Sequence, residues 1–176
     1  MGRLQEKEYK EAGTFEQFRQ IVAALRGEGG CPWDKAQTFE SLKPCMVNEM
    51  TEALAGIDLY RATNDAGNLC EELGHVLLQV VLLAQIAEEE GLFTIDDVIG
   101  GVSRKMVRRH PHVFGTEGQN MQAQEVPGRW EAIKKAEKQN RTPEQETREK
   151  EALENASGWV IGHLSGKDRK SLTKTI

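Results

Sequence analysis

Apolar residues recur at helical spacing along almost the whole chain. Phe18, Ile21, Val22 and Leu25 form a first stripe, and Thr14 with Gln17 just ahead of it has the spacing of a capping box. This helix is expected to end near Gly27, before Gly29 and Gly30. In Cys31-Pro32-Trp33-Asp34, Asp34 is placed to cap a short helix, with Gln37 at the reciprocal position. Pro44 reads as the start of a second helix that carries Met46, Met50, Ala53, Leu54 and Ile57 on one face. After a polar end around Asn64 and Asp65, a third helix carries Leu69, Leu73, Val76, Leu77, Val80, Ala84 and Ala87. Leu78, Val81, Leu82 and Leu83 make its middle apolar nearly all round, the pattern of a helix buried in a bundle or at a subunit interface. Gly91 suits its C-cap.

Thr94, with Asp96 and Asp97 behind it, opens a fourth helix that runs to about His110, because Pro111 disfavours helix in the residue before it. Arg129-Trp130-Glu131 opens a fifth, mostly charged stretch, and Thr142-Pro143 with Gln145 can restart a helix. From about Gly158 the periodicity weakens and the end is basic, so this tail is expected to be partly disordered. The expected fold class is all-α, a helical bundle of about five helices.

Composition changes this picture in only a few respects. The 176 residues fit one ordinary domain. With 23 Lys and Arg against 28 Asp and Glu, the formal charge is -5, which argues against a general nucleic-acid-coating protein. No apolar run is read as reaching the roughly 20 residues needed to span a bilayer, so no membrane partner is expected. The polar N-terminus does not read as a secretory signal. Cys31, Cys45 and Cys70 lack metal-site spacing and read as free thiols in a reducing, cytoplasmic setting.

Candidate chemistry appears when the second and third helices are laid side by side. Met46, Met50, Ala53 and Leu54 match Leu69, Leu73, Val76 and Leu77, and at one common offset stand Glu49 and Glu72. Three residues further on come Glu52 and His75. Residues three apart lie one turn apart on nearly the same face, so each helix presents a two-pronged polar edge beside its apolar stripe. Antiparallel packing of the two helices brings these edges together. A solvated acidic flank is the plain alternative. However, carboxylates crowded beside a core repel one another and lose hydration unless a cation lies between them. Oxygen ligands favour Mg²⁺ or Mn²⁺, and the imidazole of His75 pulls toward Mn²⁺, Fe²⁺ or Zn²⁺.

Lys105, Arg108 and Arg109 form an i, i+3, i+4 basic set near the end of the fourth helix, followed by His110 and His112. It either complements the helix dipole or binds a compact anion such as phosphate. Trp33 reads as a hydrophobic staple, with stacking on a nucleobase as the alternative.

Three blocks together carry a family resemblance: Gly30-Cys31-Pro32-Trp33-Asp34-Lys35-Ala36-Gln37-Thr38, Glu72-Leu73-Gly74, and Lys105 through Phe114 with its Arg108-Arg109-His110-Pro111-His112 core. Over residues 15 to 136 the chain resembles the MazG-like nucleoside triphosphate pyrophosphohydrolases. The resemblance implies a domain over residues 14–137, with a 1–13 extension before it and a charged helical segment and tail over 138–176. It implies an all-α homodimer whose bundle both subunits complete, and Mg²⁺-dependent cleavage of a nucleoside triphosphate substrate to the monophosphate and pyrophosphate. It also implies that Glu49, Glu52, Glu72 and His75 are metal-binding, with Glu49 or Glu52 as the catalytic proton acceptor. Trp33, Gln37, Lys105, Arg108 and Arg109 are implied substrate contacts. The family's EExxE…ExxD pattern maps to Asn48, Glu49, Glu52, Glu72 and His75, so two acids are replaced. The replacements imply weaker Mg²⁺ binding, with Mn²⁺ or another transition metal as the alternative. Two other readings stay open here: a member that binds nucleotide without efficient hydrolysis, and a dimeric carboxylate and histidine di-iron protein built on Glu72-x-x-His75.

Overall fold

The computed structural model describes residues 10–115, 122–139 and 141–166. Among these are eight helices: α1 Phe15–Arg26, α2 Pro32–Lys35, α3 Phe39–Thr63, α4 Gly67–Glu89, α5 Ile95–Arg109, α6 Pro111–Phe114, α7 Val126–Lys138 and α8 Pro143–Ser165. No strand occurs among the described residues. The chain divides into two compact units, one ending at Ile95 and the other running from Asp96 to Gly166.

The first unit is built on α3 and α4. Asn64, in the left-handed conformation at φ 57°, ends α3, and a short turn reverses the chain into α4. The two helices pack along one another and lie close at Gly56, where an added Cβ would lie 3.1 Å from the Cα of Leu69. Val22 from α1, Leu42 from α3, Val81, Leu82, Ala84 and Ile86 from α4, and Ile95 close the core, each at most 4% exposed. Its driving force is burial of apolar surface. At the end of α4, Leu92 N–H donates to Ala87 O and Gly91 N–H to Glu88 O, a Schellman closure with Gly91 at φ +69°.

Several expected boundaries move. Helix α3 begins at Phe39 because Thr38 and Ser41 form a reciprocal cap, so Pro44 lies inside the second turn and does not start the helix. Asp34 sits within α2 and makes no cap, and Gln37 donates to the Trp33 carbonyl instead. Helix α7 begins three residues before Arg129. The Thr142–Gln145 capping box launches a helix that continues to Ser165, so residues 158–165 are helical where a disordered tail was expected. The basic end from Lys167 lies outside the described residues.

Two expectations about apolar surface also change. Helix α4 is long and apolar enough to cross a membrane, because the polar residues interrupting it are few. Here it is the core helix of the first unit, packed on α1 and α3 and carrying the buried polar residues Glu72 and Gln79. The apolar stripes are also broader than one chain covers. Ala53 is buried, but Met50, Leu54 and Ile57 of α3 and Leu73 and Leu77 of α4 are exposed.

One side chain ties three segments of the first unit together. The Arg26 guanidinium, 7% exposed, donates to the carbonyls of Asp34 and Gln37 and to both oxygens of Glu89. These bonds hold the Glu89 carboxyl below its ordinary range. The turn carrying Trp33 is thereby fixed to the ends of α1 and α4.

Candidate active site

The polar edges of α3 and α4 converge. Nδ1 of His75 lies 3.1 Å from Glu72 Oε2 and 3.4 Å from Glu49 Oε2. One ligand atom from each of these three side chains falls within 4.8 Å of the other two. Glu49 is 1% exposed and Glu72 8% exposed, whereas the His75 ring is a third exposed and forms the open side of the cluster. The other oxygen of Glu72 accepts a 3.1 Å bond from Asn68 Nδ2, so both ends of that carboxylate are oriented. Such outer contacts fix the aim of a metal-binding carboxylate.

Helical spacing creates the arrangement: Glu72 and His75 are one turn apart on α4, and α3 delivers Glu49 opposite them. Glu52 is half-buried and lies outside the tightest group, close enough for its charge to be felt. Asn48 is buried at 4%. Gln79, two turns along α4 on the same face as Glu72, has a buried Oε1 with no hydrogen-bond partner.

Burial pushes the Glu49 carboxyl up; His75 opposes the shift, while Glu52 and Glu72 add to it. Burial, then the charge of Glu72, raises Glu52 as well. Burial, helped by Glu49, raises the Cys45 thiol one turn earlier on α3. The two carboxylates of Glu49 and Glu72 and one imidazole make an oxygen-and-nitrogen donor set that suits a divalent cation.

The raised pKa values set the sign of a pH effect. In the window above 4.5 and below the raised values, the folded chain keeps protons that the unfolded chain has released. This contribution to stability is therefore lost as pH rises through that window. Denaturant melts of the metal-free chain should show it, and Glu49→Gln should flatten that slope. Glu89 acts oppositely: its contribution is present above its ordinary pKa and is lost as pH falls through the lowered one.

Of the remaining candidates in the first unit, Trp33 is 58% exposed and packs as no staple. Gln37 donates to the Trp33 carbonyl, and its Oε1 accepts from Ser41, so its side chain braces the turn. In the second unit, Lys105 and Arg108 are exposed and Arg109 is largely buried. Both guanidinium groups engage Glu137 of α7, at 2.6 and 2.5 Å. The two arginines hold the Glu137 carboxyl down at about 2. Arg109 also lies over the Trp130 ring, 5.1 Å from its centroid, and His110 packs edge-on to the same ring.

Glu137, Arg26 and Asn68 were not singled out by sequence reasoning. Glu137 sits in a run of alternating charges, Arg26 reads as ordinary helix-end complement, and Asn68 gains meaning only from its position four residues before Glu72.

The hairpin of α3 and α4 thus brings two buried carboxylates and a partly exposed imidazole into one cluster of the kind that can hold a metal ion. Residues 37–114 match the MazG nucleotide pyrophosphohydrolase domain. A protein of Bacillus subtilis called uncharacterized protein YabN is 56% identical over 124 residues, covering 70% of this chain and 24% of that protein. The nucleoside triphosphate pyrophosphohydrolase/pyrophosphatase MazG of Thermotoga maritima is 49% identical, covering 73% of this chain and 48% of that protein. The nucleoside triphosphate pyrophosphohydrolase of Escherichia coli K12 is 44% identical, covering 67% of this chain and 43% of that protein. The chain thus spans less than half the length of each of these relatives.

Proposed function

We propose that the chain is a divalent-metal-dependent nucleoside triphosphate pyrophosphohydrolase, releasing a nucleoside monophosphate and pyrophosphate. The observation that carries the reading is the convergence of Glu49, Glu72 and His75 from two helices inside the matched family stretch. These residues, with Glu52 beside them, hold the ion, and both Mg²⁺ and Mn²⁺ are to be tested. When bound, such an ion polarises phosphate oxygens and makes phosphorus easier to attack. Glu52, half-buried with its pKa raised, accepts a proton from the attacking water, while the more deeply buried Glu49 keeps the donor geometry. Lys105, Arg108 and Arg109 are assigned to phosphate charge, and the two arginines exchange Glu137 for it on binding. Trp33 offers an exposed ring for the base, and Gln37 steadies its turn. Pyrophosphate release from nucleoside triphosphates, measured with added Mg²⁺ or Mn²⁺ and again with excess chelator, tests the proposal. No turnover of any triphosphate under either metal contradicts it.

The same proposal places the protein in the cytoplasm as a homodimer over residues 14–137. Met50, Leu54 and Ile57 each follow by one residue the inward positions Glu49, Ala53 and Gly56 of α3, and Leu73 follows Glu72 on α4. In an antiparallel hairpin, a one-residue step from the contact face points to the same side on both helices. Four large apolar side chains therefore share one side, and a second copy of the hairpin covers them. Leu54→Glu, 60% exposed in one chain, should shift the protein from dimer to monomer in light scattering. An unchanged mass contradicts this dimer face.

A further inference from the structure

We infer that the Glu49, Glu72 and His75 cluster selects a transition-series divalent ion of the Mn²⁺, Co²⁺ or Zn²⁺ kind over Mg²⁺, with Nδ1 of His75 as the selecting ligand atom. This rests on the proposal that the cluster holds the ion, and adds which ion it prefers. Nδ1 is the ring nitrogen turned to both carboxylates, at 3.4 Å from Glu49 and 3.1 Å from Glu72. Ligand atoms about 2.1 Å from a common ion, at octahedral or tetrahedral angles, stand about 3.0–3.4 Å apart. The nitrogen already stands at that separation from an oxygen of each carboxylate, and one ligand atom from each of the three side chains lies within 4.8 Å of the others.

The chemistry of the donors then decides the ion. Mg²⁺ prefers an octahedron of oxygens and gives up its water reluctantly, and an imidazole nitrogen gives it little in return. First-row transition ions and zinc bind the same nitrogen well. Because Asn68 holds the second oxygen of Glu72, that carboxylate is not free to turn and replace the nitrogen with both of its own oxygens. The His75 ring stands at the open side of the cluster, so an arriving ion meets the nitrogen without disturbing the core.

The test uses the full chain, untagged and stripped of metal. Calorimetric titrations with MgCl₂, MnCl₂ and CoCl₂ should show Mn²⁺ and Co²⁺ binding at least about tenfold more tightly than Mg²⁺. Pulsed electron paramagnetic resonance of the Mn²⁺-loaded chain should show coupling to one imidazole nitrogen. His75→Asp should abolish that coupling and shrink the preference over Mg²⁺, with folding checked by circular dichroism. Where that variant fails to fold, nitrogen coupling that persists when His110, His112 and His163 are each replaced by glutamine assigns it to His75, and its loss in any of those variants overturns the inference. Tight binding with Mg²⁺ and Mn²⁺ equal, or with no nitrogen coupling, overturns the inference and leaves the metal-dependent reading standing. Binding of none of the three ions overturns both.

Discussion

Replacing Glu49 by glutamine should lower kcat/KM for a nucleoside triphosphate by about 10³-fold while making the metal-free protein more stable. The two effects have one cause. Glu49 is almost fully buried, its carboxyl is pushed up by burial, and Glu52 and Glu72 add like charge. Ionising it without a cation costs free energy, and glutamine removes that cost in nearly the same volume. The amide oxygen cannot replace the charge that a divalent ion needs, so activity falls. Pyrophosphate release measures the first effect and urea denaturation at neutral pH the second. A purely structural Glu49 would instead give a glutamine variant with unchanged activity.

Arg26→Ala should destabilise the fold by about 3 kcal/mol, read as a lower urea midpoint with the slope unchanged. The loss removes the guanidinium donor from two main-chain carbonyls, of Asp34 and Gln37, and takes the cationic partner from Glu89. Surface ion pairs contribute far less, typically under about 1 kcal/mol. Burial of the guanidinium separates Arg26 from the Lys43–Glu40 and Lys134–Glu131 pairs, which lie at the surface. Lysine at position 26 keeps the charge but not the planar fork, and should recover only part of the loss. A change below about 0.5 kcal/mol for Arg26→Ala would show that the brace carries no stability.

Much of the fold was legible in the sequence because helix periodicity and capping are local. The Thr14–Gln17 and Thr142–Gln145 boxes appear as read, and the Gly91 closure follows from a glycine after a charged helix end. The start of α3 was misread because its cap uses Ser41, a weaker sequence signal than proline; Pro44 instead sits inside the helix and gives up one i→i−4 bond there. The length of α8 was missed because glycines at 158 and 162 lower local propensity without breaking a helix already launched. The convergence of Glu49, Glu72 and His75 could be read from matching offsets on two helices joined by a short turn. Glu137 could not, because its pairing with Arg108 and Arg109 depends on how α7 returns to α5, which no local pattern encodes. The apolar stripes, in turn, did not tell which positions the chain itself buries: Ala53 is buried, whereas Met50, Leu54 and Leu73 are exposed.

The claim on which the reading turns is that Glu49, Glu72 and His75 hold one cation between α3 and α4. Anomalous diffraction from crystals of the full chain soaked in Mn²⁺ addresses it most directly. A single strong peak about 2.0–2.4 Å from a carboxylate oxygen of each glutamate and from Nδ1 of His75 is the expected result. An empty cluster, with manganese bound elsewhere or those side chains turned apart, would contradict it.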